Sequence, residues 1–475
     1  MSKTCCPPNQ SDRYDLAVIG AGSAGFSAAI TAADQGARVA LIGHGTIGGT
    51  CVNVGCVPSK TLIRAAEAVH HANTASRFAG VSVAGQLKDW AALRAQKDAL
   101  VASLRKAKYI DLLPAYNHVA YLPGKARLGN GGVVVDGKHI DVGKIIIASG
   151  SEEFVPAIPG IRDVPFLTST AAFEMESLPD SMIVIGGGYI GCELAQMFAR
   201  LGVRVSILFR SRLLPEGEPE IGAALAGYFE AEGIAVLRID TYDGIRVGDR
   251  GISLSVTIDG AAETLEARKI LLSTGRTANT HGLGLEAAGV AVLPNGGIKV
   301  DDRMRTTKAG VYAAGDVTGR DQFVYMAAYG AKIAASNALN GDERRYDNLA
   351  MPAVVFTDPQ VASVGLTEAV ARDRGIDVKT SVLALDNVPR ALAARDTRGL
   401  IKLVAESAAG TLIGAHILAP EGADSIQTAA LAIKQGLTYR DLGDMIFPYL
   451  TTVEGLKLAA QTFDKDVSKL SCCAG

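Results

Sequence analysis

Two thiols five residues apart stand in the stretch Gly48-Gly49-Thr50-Cys51-Val52-Asn53-Val54-Gly55-Cys56-Val57-Pro58-Ser59-Lys60. Such a dithiol can cycle to a disulfide or hold a soft cation between two thiolates. The glycines and Pro58 are poor material for a core helix, so Cys51 and Cys56 read as reactive groups and not as small buried hydrophobes. A thiolate near a helix start is stabilised by the positive end of the dipole, and Lys60 adds a positive charge nearby. Of the seven cysteines, Cys5, Cys6, Cys51, Cys56, Cys192, Cys472 and Cys473, six fall into three close pairs. That pattern in a long chain favours redox or soft-metal chemistry over a disulfide scaffold. Adjacent cysteines have Cα atoms about 3.8 Å apart, below the usual disulfide range, so Cys472 and Cys473 suit a thiophilic cation better than each other. The eight residue steps from Asp464 to Cys472 can span roughly 28 Å when extended, enough to reach an active site. For Cys5 and Cys6, metal scavenging and incidental occurrence stay equally open.

The elements that must position these thiols begin with an apolar strand, Asp15 to Ile19, leading into Gly20-Ala21-Gly22-Ser23-Ala24-Gly25, a helical pattern to Gln35 and a second strand to Ile42. This is a dinucleotide-binding fingerprint in its proper strand–turn–helix–strand setting. The acidic residue expected at the end of the second strand is replaced by Gly43-His44. A second fingerprint follows the strand Met182 to Ile185: Gly186-Gly187-Gly188-Tyr189-Ile190-Gly191, then a helix to Leu201 and a strand to Phe209. At its end stand Arg210 and Arg212 with no carboxylate, which favours a 2′-phosphorylated nucleotide and so NADPH. Two surface arginines on a loop would read the same way. Two such modules suit an enzyme that passes electrons between two dinucleotides. Residues 61–113 show helical periodicity, and glycine-rich α/β sequence returns from Gly275.

The chain has 475 residues, 48% of them hydrophobic and 20% charged, enough for several large cores. A formal net charge of −2 gives no electrostatic reason to expect nucleic acid or an anionic membrane as partner. No apolar run reaches membrane-spanning length and the first residues lack the apolar core of a secretion signal, so a cytoplasmic protein is expected.

The dithiol stretch, the two fingerprints, Ala313-Ala314-Gly315-Asp316 and a strand-and-helix C-terminal region together resemble the FAD-dependent pyridine nucleotide-disulfide oxidoreductases over nearly the whole chain. The resemblance implies an α/β fold with two Rossmann-like domains, for FAD and NADPH, and an α+β dimerisation domain. It implies FAD on Gly20, Gly22, Gly25, Gly49 and Thr50 and NADPH on Gly186, Gly188 and Gly191, with Gly275 a further cofactor-binding position. Cys56 would face the flavin, Cys51 the substrate; Lys60 would pair with Glu193 beside the flavin, and Asp316 would contact its ribityl chain. Without the resemblance, Lys60 and Glu193 would read as solvated charges.

Disulfide reductases of this family carry His-Pro-Thr-x-x-Glu where this chain has Tyr449-Leu450-Thr451-Thr452-Val453-Glu454. Their histidine protonates a departing thiolate, whereas a tyrosine, with a pKa of about 10, is a poor proton shuttle at neutral pH. A substrate that needs no such proton, a thiophilic metal ion, explains the change. Together with Ser471-Cys472-Cys473-Ala474-Gly475, the signature resembles the branch of the family that reduces Hg(II) to Hg(0). That resemblance singles out Tyr109 as a second active-site tyrosine and implies delivery of Hg(II)–thiol complexes by Cys472 and Cys473 to Cys51 and Cys56, in a homodimer whose active sites are shared. Two rivals stay open: a lipoamide- or glutathione-type disulfide reductase, and a mercury-sequestering or redox-sensing flavoprotein without turnover. The expected organisation is an arm over 1–12, FAD-binding parts over 13–150 and 275–348, an NADPH-binding domain over 151–274, a dimerisation domain over 349–463 and a tail over 464–475.

Overall fold

The computed structural model describes residues 13–129, 131–249 and 251–467, so Cys5, Cys6, Cys472 and Cys473 lie outside the described residues. The chain packs as two interleaved units. The first takes the chain up to Pro58, Gln96–Phe154 and Arg276–Asp347; the second takes Ser59–Ala95, Val155–Gly275 and Asn348 onward. Residues 59–95, read from sequence as part of the first nucleotide domain, are therefore counted with the second unit.

In the first unit a parallel sheet runs in the order Val311–Ala313, Val142–Ile147, Tyr14–Ile19, Val39–Gly43, Val119–Pro123. Its strands are near-continuous apolar runs because both faces are covered. On one face Ala24, Ala28 and Ala32 of the Ser23–Ala33 helix pack with Ala327, Ala331 and Ala334 of the Val324–Asn340 helix. Ser27 fixes that pairing by donating to the Ala328 carbonyl at 2.9 Å.

The second unit holds a parallel sheet ordered Ala235–Arg238, Arg204–Phe209, Ser181–Ile185, Lys269–Leu272, and an antiparallel one ordered Pro352–Val355, Gln360–Gly365, Leu412–Ala419, Leu400–Glu406, Val378–Ala384. The helical reading of 61–113 holds for Cys56–Asn73 and Trp90–Arg105 but breaks between them. There Asn73 accepts from Gly85 N at 2.8 Å, and Asp89 caps the next helix by accepting from Ala92 N at 3.0 Å. Among the described residues no helix is long and apolar enough to cross a membrane.

A buried charge network braces this unit. Arg200 pairs with Glu232 at 2.6 Å and Asp358 at 3.0 Å, while Arg398 pairs with Asp396 at 2.8 Å. Beside it, burial and then Arg200 push the His70 imidazole down to about 4, and the hydrogen bond that His71 donates to the Asp358 carboxylate pushes His71 up. A depressed His70 means that the unfolded chain takes the proton first. Its contribution is complete above pH 6.5 and lost as pH falls towards 4, at most about 3 kcal/mol. His71 works in the opposite sense: its contribution is complete below pH 6.5 and fades as pH rises. His70→Asn is expected to flatten the acid side of the stability curve, read as the urea midpoint between pH 7 and pH 5. An unchanged slope would show that His70 plays no part in it.

Candidate active site

Steric demands build the first nucleotide turn. Gly25 lies so close to the turn that a Cβ there would stand 1.7 Å from the Gly20 carbonyl oxygen. Gly22 caps the Ser23–Ala33 helix with no side chain across its N–H groups and no acid in the first turn, so the helix start is free to receive a pyrophosphate. Gly49 meets this turn directly: its Cβ would lie 2.6 Å from Gly22 Cα. The backbone approach that suits a dinucleotide thus also brings the dithiol segment against it, while Thr50 is exposed in the Gly49–Asn53 helix.

Cys51 sits in that short helix and Cys56 is the first residue of the 18-residue helix Cys56–Asn73; both are half-buried. The start of a long helix is where a thiolate gains most from the dipole, about 0.3–1 kcal/mol at a solvated site and up to ~2 when partly buried. Asn53 ties the loop by donating to Ile47 O at 2.9 Å and Gly49 O at 2.8 Å, and it accepts from Arg105 at 3.1 Å.

Tyr109 is brought to the thiols. The Trp90–Arg105 helix ends in a π-type turn, Lys106–Ile110, whose widened winding redirects the side chains it carries, a feature frequent at functional sites. The Tyr109 ring stands edge-on to Phe26, with centroids 4.8 Å apart at 85°. Its phenol shares a hydrogen bond with Ser23, and its pKa is raised above 10, first by burial and further by the charges of Cys51 and Cys56. Tyr109 is therefore a neutral hydroxyl at pH 7, able to donate to a thiolate but not to give up its proton.

Elsewhere in this unit Asp316 accepts from the Ser151 hydroxyl at 2.8 Å, and Ser151 accepts from Arg276 at 2.8 Å. That leaves a second carboxylate oxygen of Asp316 available for a sugar-alcohol hydroxyl.

In the second unit Lys60 and Glu193 form an ion pair at 2.7 Å, Glu193 being almost wholly buried and also accepting from Phe356 N at 2.9 Å. Lys60 Nζ lies 4.8 Å from the Phe356 ring centroid. The second turn repeats the first: a Cβ on Gly191 would be 1.9 Å from Gly186 O, while one on Gly188, the uncapped helix start, would meet nothing within 4 Å. Gly275 is equally open. Arg210 is exposed, but Arg212 closes its own loop by donating to Pro215 O at 2.6 Å and Gly217 O at 2.8 Å. It is thus a structural brace first.

Tyr449 lies half-exposed on the loop before the Glu454–Gln461 helix. The next residue, Leu450, has φ of +63°, a left-handed conformation held because Glu454 accepts from its backbone N–H at 3.1 Å. Glu454, the last residue of the motif, thus shapes the tyrosine loop. Sequence reading missed Ser23, Asn53, Arg105, Ser151 and Arg276. Ser23 and Asn53 lay within the motifs already noted; the others carried no local signal.

A family model described as pyridine nucleotide-disulphide oxidoreductase matches residues 14–334, and its dimerisation domain matches 351–460. The chain is 47% identical over 468 residues to a mercuric reductase from Streptomyces lividans, covering 97% of this chain and 98% of the relative. It is 48% identical over 472 residues to a mercuric reductase from Shigella flexneri, covering 97% and 82%. The HOCl-induced flavoprotein disulfide reductase of Escherichia coli superposes with a TM-score of 0.82 at 31% identity, covering 94% of this chain and 99% of that one.

Proposed function

This chain belongs to the pyridine nucleotide-disulphide oxidoreductase family, and we propose that within it the protein reduces Hg(II) to Hg(0) at the expense of NADPH. The observation that carries this reading is the company the dithiol keeps: a neutral, half-buried phenol, Tyr109, stands close enough to Cys51 and Cys56 to feel their charges, and Tyr449 stands where a disulfide reductase needs an imidazole. The near-full-length relatives named mercuric reductase support the same choice.

NADPH and FAD, when bound, supply an electron pair to the Cys51/Cys56 couple. Gly186, Gly188, Gly191 and Arg210 would hold the former, and Gly20, Gly22, Gly25, Gly49 and Asp316 the latter, with Lys60 and Glu193 beside the flavin. Hg(II) enters as a thiol complex and is taken over by Cys472 and Cys473 of the neighbouring subunit, then by Cys51 and Cys56. Each exchange forms one Hg–S bond and breaks one, so the ion is never free. Two electrons from a second NADPH equivalent then reduce the metal, both Hg–S bonds break, and the sulfurs remain as thiolates while Hg(0) leaves. Tyr109 and Tyr449 steady the thiolates by hydrogen bonds through these exchanges. The sharing of sites between subunits agrees with the matched dimerisation domain and with an apolar run around Tyr449 in which Ile446 is 97% exposed. A cytoplasmic setting, where NADPH and small thiols are abundant, fits this chemistry.

The test is anaerobic NADPH consumption with Hg(II) in excess thiol, against lipoamide and oxidised glutathione, while volatile mercury is trapped. Turnover with Hg(II) and release of Hg(0) are expected. Comparable turnover of a disulfide would reject the reading, and tight binding without volatilisation would favour a sequestering protein. The double change Cys472→Ala with Cys473→Ala is expected to slow turnover of Hg(II) held by bulky thiols by about tenfold or more, with reduction of bound flavin by NADPH unaltered. Equal rates with every thiol carrier would show the tail to be idle.

A further inference from the structure

In a dinucleotide module of this kind a carboxylate at the end of the second strand takes the adenosine ribose hydroxyls. Here that position is Gly43, the buried last residue of the Val39–Gly43 strand. Its neighbourhood explains why no acid stands there. A Cβ on Gly43 would lie 2.6 Å from the Cβ of Ala21, the second residue of the glycine turn, so a larger side chain would have to displace the turn itself. The same Cβ position is 3.4 Å from the hydroxyl oxygen of Tyr121.

Tyr121 comes from the adjacent parallel strand, Val119–Pro123, where it lies opposite Leu41 while Pro123 lies opposite Gly43. Its ring packs with the partly buried fringe of the core formed by Leu16, Val18 and Leu41. Its hydroxyl is paired with no donor or acceptor among the described residues. A half-buried phenol therefore reaches over a glycine and presents its oxygen where the missing carboxylate would begin. We infer that the Tyr121 hydroxyl replaces the acid as the contact for the adenosine ribose of FAD. This rests on FAD binding at the first module. The exchange is chemically sound, since a phenol both donates and accepts, whereas a carboxylate only accepts. The substitute contact is neutral, and the exposed neighbour His44 is left without a part in it.

The test is equilibrium binding of flavin to protein stripped of its cofactor, with two probes: FAD, and FAD whose adenosine carries a 2′,3′-dideoxyribose. The unaltered protein is expected to bind the dideoxy probe about three- to tenfold more weakly than FAD, the worth of one hydrogen bond. Tyr121→Phe should lose the same factor for FAD and nothing for the dideoxy probe, and His44→Ala should lose nothing for either. Equal affinity of the unaltered protein for both probes would overturn the assignment without any variant. So would an equal loss for both probes in Tyr121→Phe, the mark of a merely structural phenol, or a ribose-selective loss in His44→Ala. A protein that takes up no FAD would overturn the cofactor reading and the assignment with it.

Discussion

Cys56→Ser is expected to cut Hg(II)-dependent NADPH oxidation roughly a thousandfold or more while flavin stays bound, because it removes both the electron carrier and a metal ligand at once. A serine hydroxyl at the first position of the Cys56–Asn73 helix occupies the same place on the dipole but stays protonated at neutral pH. Even ionised it would offer a hard oxygen to a soft cation. Cys51→Ser should be comparably inactive for a related reason, since Hg(II) bound to one thiolate keeps a foreign thiol as second ligand and is released to it. Reduction of bound flavin by NADPH, followed as bleaching of the flavin absorbance, is expected in both variants, which separates loss of the dithiol from loss of fold. Mercury volatilisation above a tenth of the unaltered rate in either variant would show that the metal is reduced without the dithiol.

Those parts of the site that are dictated by close approach were legible in the sequence. Gly25 and Gly191 are glycines because a carbonyl oxygen occupies the place of their Cβ, and such steric requirements are written into residue type. Contacts made by long side chains across the fold were not. Glu193 lies 133 residues from Lys60, and residue chemistry alone would have left the two as separate surface charges; only the resemblance paired them. Tyr109 is aimed by a π-type turn, which carries no periodicity signal, and the Tyr121 hydroxyl comes from a strand whose register depends on the whole sheet. Arg212 shows the converse. Its type and position announced phosphate recognition, yet two backbone carbonyls of its own loop hold the guanidinium, a use that no motif distinguishes from the other.

Lys402→Met is expected to destabilise the second unit by roughly 3–5 kcal/mol, the cost of leaving a buried charge unpaired. Lys402 lies on the Leu400–Glu406 strand with its ammonium sealed from water. It pairs with Glu218 at 3.0 Å, Glu220 at 2.8 Å and Glu368 at 2.9 Å. Glu218 is the critical partner. It is as deeply buried as Lys402, it stands at the head of the Pro219–Ala231 helix of the second nucleotide module, and it accepts from Glu368 N at 2.7 Å. His416, close by and buried, has its pKa lowered first by burial, which disfavours it as a substitute cation. Methionine fills much the same volume, so the loss reports charge more than packing. Adding Glu218→Gln should recover part of the stability, because the amide oxygen still accepts from Glu368 N and no full charge is stranded. The urea midpoint of the single variant should therefore fall below that of the double. If the single variant lay within about 1 kcal/mol of the unaltered protein, the ion cluster would be a solvated ornament. If the order is as expected, the cluster joins the second nucleotide module to the C-terminal sheet, and the two should melt together in the unaltered protein but separately once Lys402 is gone.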